Sequence, residues 1–255
     1  MSRVRSAPGS GPMIIPLLWL ASGCGAGATP VSPFGASNLA LSFDGVTSYA
    51  TAANGGFPAA GAVQTVEMWV NYSAPAATTT ADFLVMRLDR SNGVQIGIHD
   101  GALAVWRTYV DRVLVQAPTL PSASAWHHVA YSYDLKVNSL YVDGVAADAE
   151  MTATDERTPT TVWLGTFDGT SQLFAGQLDE IRVWKVVRSA SDIQVDMQHS
   201  APGSVPGLVA YWTFDDGASG GRALDASGSG NDVTLGDGVA ANMPTRVPSD
   251  APDSQ

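Results

Sequence analysis

The chain has 255 residues, of which 45% are hydrophobic and 15% are charged, and its formal net charge is −11. This length allows one large domain or two small ones, and the low charged fraction excludes a coiled coil. The acidic balance without any run of Lys or Arg argues against a nucleic-acid partner. A single cysteine excludes an internal disulfide and a Cys-rich metal site.

Residues 1–23 have the pattern of an export signal. Two arginines precede the short apolar stretch 13–20, and small residues follow it. Because this stretch is far shorter than the ~20 residues of a spanning helix, it predicts a cleaved signal peptide. Residues 20–24 resemble the bacterial lipobox, whose cysteine carries the lipid. We therefore expect lipidation at Cys24 and anchoring to the bacterial cell envelope, at the outer membrane or cell surface; an ordinary signal with an incidental cysteine is the alternative.

Two segments flank the predicted folded region. Residues 24–35 are rich in Gly, Ala, Pro and Ser and predict a flexible tether. Residues 241–255 hold three prolines and predict a disordered tail. Residues 36–240 between them predict one domain.

The predicted domain is dominated by a hydrophobic period of two, which indicates β-strands. Alternating or short apolar runs occur at residues 63–70, 83–88, 94–98, 103–106, 129–133, 140–142, 162–164, 178–184 and 208–214. Asp-Gly and Asn-Gly pairs recur along this region and suit tight hairpins, because these residues tolerate positive φ. The clearest predicted hairpin is 141–145.

One helix interrupts the strands. Ser189 is a predicted N-cap, and Asp192 three residues later completes a capping pair. Ile193 and Met197 then share one helical face. The pattern predicts about three turns ending near His199, before a proline.

Four groups of motifs follow one another along the chain. They are residues 41–49 with 65–70, 126–134 with 140–144, 174–184 with 189–193, and 207–217 with 227–232. Together they resemble the laminin-G-like jelly roll of the concanavalin A-like lectin/glucanase group. The resemblance implies an all-β, two-sheet antiparallel jelly-roll sandwich with one short helix, often with a structural calcium.

The resemblance points to a calcium site near the first strand. Calcium takes ~6–8 oxygen ligands. Asp44 lies in a Gly-bearing loop, and Asp179 belongs to a late strand that, by the resemblance, pairs near the first one. We expect Ca²⁺ to be bound by Asp44 and Asp179, with carbonyls around Gly45 or Ser48 completing the shell. The alternative is that Asp44 is a hairpin residue and Asp179 bonds loop amides.

Other candidate metal ligands are weaker. Asn231 and Asp232 form a second calcium candidate, although Ser-Gly-rich stretches of this kind are typical of turns. His127 and His128 are adjacent, so they point to opposite faces of a strand and cannot chelate one ion together. We expect no catalytic or zinc-binding histidine.

The sequence lacks a pattern of catalytic carboxylates. Laminarinase-type enzymes of the resembling group carry Glu-x-Asp-x-x-Glu or a close variant, which places acid and nucleophile on one sheet face. This chain has no such motif, and the neighbours Asp179 and Glu180 are expected to face opposite sides. We therefore expect no enzyme; a hydrolase with acid and base on separate strands is the alternative.

Aromatic residues are the remaining indication of a ligand. The tryptophans within the motif strands are expected in the core: Trp69, Trp126, Trp184 and Trp212. Trp106, Arg107 and Tyr109 lie outside those motifs and are the predicted ligand-binding residues.

These observations predict a non-catalytic module on the cell surface. It would bind or adhere to a glycan or a surface protein through loops at the sandwich edge. A structural cell-envelope lipoprotein without a specific ligand and a secreted carbohydrate-active hydrolase are the alternatives.

Overall fold

Alternating polar and apolar residues place about half of the described residues in strands. The computed structural model describes residues 38–53, 56–59, 61–73, 79–89, 92–108, 111–151, 161–201, 204–217 and 220–252. The predicted signal peptide 1–23, the lipidation site Cys24, the tether 24–35 and Tyr109 lie outside these residues. No helix in the described part of the chain is long and apolar enough to cross a membrane.

The strands, in chain order, are β1 (Leu39–Asp44), β2 (Ala50–Ala53), β3 (Gln64–Tyr72), β4 (Ala81–Asp89), β5 (Asn92–His99), β6 (Ala102–Arg107), β7 (Arg112–Gln116), β8 (Trp126–Tyr133), β9 (Val137–Val142), β10 (Val145–Met151), β11 (Thr161–Leu164), β12 (Ala175–Trp184), β13 (Leu208–Trp212), β14 (Arg222–Ala223), β15 (Val233–Leu235) and β16 (Thr245–Pro248). One α-helix, α1 (Ala190–Asp196), lies between β12 and β13, and two short 3-10 turns precede β16.

Two antiparallel sheets are formed from these strands. The first sheet has the order β10-β9-β8-β3-β12-β1-β16, with β13 also paired to β12. The second sheet has the order β14-β15-β2-β11-β4-β5-β6-β7. This arrangement confirms the predicted two-sheet antiparallel sandwich with one short helix.

Alternate side chains of both sheets meet in a shared interior. Six interior side chains of the central strands β3 and β5 are apolar and buried: Val66, Met68, Val70, Val94, Ile96 and Ile98. Phe174 contacts Phe83 and Phe43, with ring centroids 5.0 and 5.9 Å apart. Burial of one such side chain contributes about 1.5–3 kcal/mol, so the period-two pattern is the main stabilising feature of the sequence.

Two glycines are required by the backbone. Gly144 follows Asp143 in the turn between β9 and β10, with φ of 73° and 51° respectively, which confirms the predicted hairpin. Gly165 has φ of 78°, and a Cβ at this position would lie 2.3 Å from Cδ1 of Phe43. Gly165 therefore lets the chain after β11 approach the core closely.

The helix begins where the sequence predicts. The Ser189 hydroxyl accepts from the Asp192 amide, and the Asp192 carboxylate accepts from the Ser189 amide, which confirms the capping pair. The helix ends at Asp196, about one turn before the predicted end. Arg182 of β12 donates to the Asp196 carbonyl (2.8 Å) and so holds the end of α1 against the outer face of the first sheet.

The predicted disordered tail is corrected by the structure. Thr245–Pro248 form β16, which pairs antiparallel with residues 39–42 of β1. The described residues continue in ordered contacts to residue 252, beyond the predicted boundary at residue 240. The pattern missed this strand because it is four residues long and ends in proline, which an edge strand tolerates since one side needs no hydrogen-bond partner.

Candidate functional site

The predicted calcium ligands Asp44 and Ser48 lie in one turn after β1. Oδ1 of Asp44 accepts from the amides of Val46 (2.8 Å), Thr47 (2.9 Å) and Ser48 (2.9 Å), and Oδ2 accepts from the Thr47 hydroxyl. Burial acts to raise the pKa of Asp44, but the hydrogen bonds from Ser48, Thr47 and Val46 outweigh it and lower the pKa. The carboxylate therefore stabilises its own turn.

Asp179 is distant from that turn. Strand β1 pairs with β12 so that Asp44 lies opposite Ala175, and Asp179 follows four residues further along β12. Four residues of a strand span about 13 Å. The Asp179 carboxyl accepts instead from the Glu180 amide (2.8 Å) and the Ser249 hydroxyl (2.6 Å). The prediction that Asp44, with Gly45 and Ser48, shares an ion with Asp179 is therefore wrong.

The second calcium candidate is also engaged by protein groups. The Asn231 amide donates to the Val209 carbonyl (2.6 Å). The Asp232 carboxylate accepts from the Asp225 amide (2.9 Å) and from Arg222 (2.5 Å). Within the described ranges, no group of three or more His, Cys, Asp or Glu residues is placed to hold a metal ion. Calcium binding stays a prediction.

Trp106 is a core residue and not a ligand-binding surface. It is 0% exposed and stacks on His99 with ring centroids 4.8 Å apart. The Gln95 amide oxygen accepts from Trp106 Nε1 (2.9 Å), and the Gln95 amide nitrogen donates to Gln172 (2.7 Å). The loop after β11 that carries Gln172 covers this face, whereas Arg107 is half-buried beside it.

A polar cleft of ≈300 Å³ opens on the outer face of the first sheet, at the end where β1 reaches Asp44. Ser42, Gln177 and Asn71 line it and lie opposite one another on β1, β12 and β3. Each alternates with a core residue of its strand, so it points outward. Among the described residues, none of these three side chains has a hydrogen-bond partner.

The cleft has the chemistry of a binding site for hydroxyl groups. The amides of Asn71 and Gln177 offer both donors and acceptors, and Ser42 and Ser124 add hydroxyls. Tyr72 also lines the cleft, although its ring is buried in the core, 6.4 Å from that of Phe83. Sequence reasoning missed this site because the polar residues lie on separate strands, and only their register makes them neighbours.

Two further carboxyls on this outer face, those of Glu67 and Glu180, are inaccessible. Glu67 is 0% exposed, and its Oε2 lies 3.8 Å from His128 Nε2. Glu180 is 1% exposed and accepts from Arg182 (2.5 Å) and the Tyr211 hydroxyl. A β-bulge with φ of 50° at Glu180 breaks the alternation of β12, which corrects the expectation that Asp179 and Glu180 simply face opposite sides.

Comparison with known proteins gives one family. The Laminin_G_3 family model, described as the concanavalin A-like lectin/glucanases superfamily, matches residues 44–194, more than half of the chain. No curated protein matches the sequence.

Solved structures share the fold. A Bacteroides ovatus protein proposed to bind carbohydrate is similar over 85% of this chain, with a TM-score of 0.64 and 22% identity. This chain covers 61% of that protein's length. Domain 4 of an extracellular arabinanase from Geobacillus stearothermophilus, solved with arabinotriose, has a TM-score of 0.52 and 18% identity over 62% of this chain and 76% of its own. An SAP-like pentraxin from Limulus polyphemus has a TM-score of 0.51 and 14% identity, and the similarity covers 63% of this chain and 82% of the pentraxin chain.

Proposed function

Because this chain belongs to the concanavalin A-like lectin/glucanases superfamily, we propose that it is a non-catalytic module that binds glycans in the polar cleft. The observation that carries the proposal is the set of outward hydroxyl and amide side chains on β1, β12 and β3 that have no partner among the described residues. Polar side chains without a protein partner need hydrogen bonds from water or from a ligand.

The structural neighbours support a carbohydrate ligand. One is proposed to bind carbohydrate, and another was solved with arabinotriose. Their identity to this chain is low, so they establish the shared fold, and the ligand class rests on the chemistry of the cleft. Neutral hydroxyls and amides match the hydroxyl groups of sugars, because each can donate and accept.

The absence of catalysis is part of the proposal. Glycoside hydrolysis needs two carboxyls that reach the scissile bond. On this face Glu67, Asp179 and Glu180 are each at most 1% exposed, so a polysaccharide in the cleft does not touch them. Asp44 and Asp250 are exposed beside the cleft, but hydrogen bonds within its own turn lower the pKa of Asp44, so this carboxylate does not serve as a general acid. Sugar binding without turnover is the expected behaviour.

We also propose that the module is exported and lipid-anchored to the cell envelope through Cys24. The positively charged start, the short apolar stretch and the small residues before Cys24 support this proposal. Cell-surface adhesion would follow from anchoring a glycan-binding module there.

Glycan-array screening of the purified full chain, followed by calorimetry on the glycans bound, tests the proposed function. We expect Asn71→Ala and Gln177→Ala to weaken binding about 10-fold each, since each removes hydrogen bonds worth roughly 1.4 kcal/mol. Thr234→Ala, on the outer face of the second sheet, is the matched control and should leave affinity unchanged. Binding that survives both cleft substitutions, or no glycan bound at all, would contradict the proposal.

A further inference from the structure

The cleft continues as a row of side chains across five strands of the first sheet. Thr245 of β16 lies opposite Ser42, Ser42 opposite Gln177, Gln177 opposite Asn71, and Asn71 opposite Trp126 of β8. Directly paired residues of antiparallel strands point to the same face. Because neighbouring strands are ~4.8 Å apart, the row is about 19 Å long. It is therefore longer than the space one sugar ring fills.

Chain segments flank the row of side chains on both sides, so the row lies in a channel. On one side the chain after β16 crosses the outer face: the Ser249 hydroxyl contacts Asp179, and the Asp250 carboxylate accepts from Trp126 Nε1 (2.7 Å). On the other side stand the Asp44 turn and Ser124, which line the cleft. The channel runs across the strands, not along them.

Trp126 stands at the far end of the channel and is held in place. It is half-buried, and its hydrogen bond to Asp250 fixes the orientation of the indole. A fixed aromatic face offers apolar area to the C–H surface of a sugar ring at little entropic cost. The sequence had predicted Trp126 for the core, so this platform becomes visible only in the folded molecule.

The charges beside the channel discriminate among glycans. The row itself holds only hydroxyl, amide and indole groups, whereas Asp44 and Asp250 lie at its sides. Carboxylates at these positions repel uronic, sulfated or sialylated sugars, and among the described residues that line the cleft there is no Lys or Arg to compensate.

Building on the proposed glycan binding, we propose that the ligand is an uncharged, linear oligosaccharide lying across strands β16 to β8, with one terminal ring stacked on Trp126. The hydroxyls and amides of the row take the remaining rings. A monosaccharide occupies only part of this channel, so affinity depends on chain length.

Calorimetry of the full chain with arabinan-, xylan- and cellulose-type oligosaccharides, from one to six units, tests the proposal, with oligogalacturonides as the acidic series. We expect affinity to rise to the trisaccharide or tetrasaccharide and then level off, and the acidic series to bind at least about 10-fold more weakly. Trp126→Ala should lower affinity for the longer neutral chains about 10-fold and abolish the length dependence. Trp163→Ala, a half-buried tryptophan on the second sheet, is the matched control and should change neither.

The outcomes separate this inference from the proposed function. Neutral sugars that bind with Asn71-dependent affinity, but without length dependence or any effect of Trp126→Ala, overturn the inference and leave glycan binding standing. Tighter binding of the acidic series also overturns it. If no glycan binds, both the inference and the proposed function are contradicted. Asp250→Asn, which keeps an acceptor for Trp126, guards against misfolding of Trp126→Ala and should selectively improve binding of the acidic series.

Discussion

At the scale of single residues, the most unusual feature is a pair of titratable side chains buried against the first sheet. Burial, and then repulsion by Asp196, raise the pKa of Glu67 from 4.5 to about 8. Burial, and then the charge of Arg182, lower the pKa of His128 from 6.5 to about 3. Both groups are therefore neutral in the folded protein between these limits, which suits a site closed to water by α1 and the segment after it.

This pair predicts how stability depends on pH. Glu67 ionises above pH 4.5 in the unfolded chain but stays protonated up to about pH 8 in the folded chain. The free energy of unfolding therefore decreases as the pH rises from 4.5 to about 8. His128 acts oppositely, and its contribution is lost as pH falls from 6.5 towards 3. The two slopes offset one another between pH 4.5 and 6.5, where we expect maximal stability. Urea unfolding should show a decline from pH 6.5 to 8.

The matched variants isolate that effect. Glu67→Gln removes the titrating carboxyl and should abolish the decline between pH 6.5 and 8. Glu150→Gln, at an exposed position of β10, should leave the decline intact. A Glu67→Gln profile that still falls over this range would show that Glu67 is not the group responsible.

A second residue-scale prediction concerns the turn at Asp44. Asp44→Ala removes the acceptor of three backbone amides, so we expect a loss of about 1–2 kcal/mol in the free energy of unfolding. Asp44→Asn keeps one acceptor and should retain part of that stability. Denaturation with calcium and with a chelator should give the same loss. A loss that appears only with calcium would restore a calcium site at this turn.

At the scale of elements, β16 links regions of the first sheet that are far apart in sequence. It pairs with β1, and the residues after it contact Asp179 of β12 and Trp126 of β8. As an edge strand it leaves one row of backbone groups open, which its proline and short length protect from further pairing. The short strand therefore contributes both to the sheet and to one side of the channel.

Truncation tests the role of β16. A chain ending at Pro244 loses the β1 ladder and the Ser249 and Asp250 contacts, so we expect destabilisation of about 3 kcal/mol or more. At about 2–4 °C per kcal/mol, the melting temperature should fall by at least about 6 °C. A chain ending at Pro252 is the control and should melt like the full chain. Equal melting of both truncations would mean that β16 adds no stability.

At the scale of the whole molecule, the two outer faces of the sandwich are covered to different extents. On the second sheet, the loop carrying Gln172 covers the face beside Trp106. On the first sheet, α1 covers the end that holds Glu67 and Arg182, while the end that holds Asn71 stays open. Under the proposed function, a glycan would therefore bind at this open end of the first sheet.

The proposed lipid anchor is tested on the intact chain in a bacterial host. We expect the wild-type protein to partition into the detergent phase and to carry an acylated N-terminal cysteine by mass spectrometry. Cys24→Ser removes the one thiol of the chain and should shift the protein to the aqueous phase. Ser22→Ala, which keeps a small residue before the cysteine, is the control and should stay in the detergent phase. An unmodified Cys24 would contradict the anchor.

The sequence alone determined the class of fold and several local features. Period-two alternation is a property of each strand by itself, so it predicted the strands and the sandwich. The capping pair at Ser189 and Asp192 and the turn at Asp143 and Gly144 were likewise readable, because their interactions join residues close in sequence.

Only the tertiary structure decided which residues meet and which are covered. Strand register separated Asp44 from Asp179 and aligned Ser42, Gln177 and Asn71, and alternation within one strand contains no information on register with another. Packing of distant segments buried Trp106 and left Trp126 half-exposed, the reverse of the expectation from the motifs. The exposure of a sheet's outer face depends on what crosses it, and that is a long-range property of the fold.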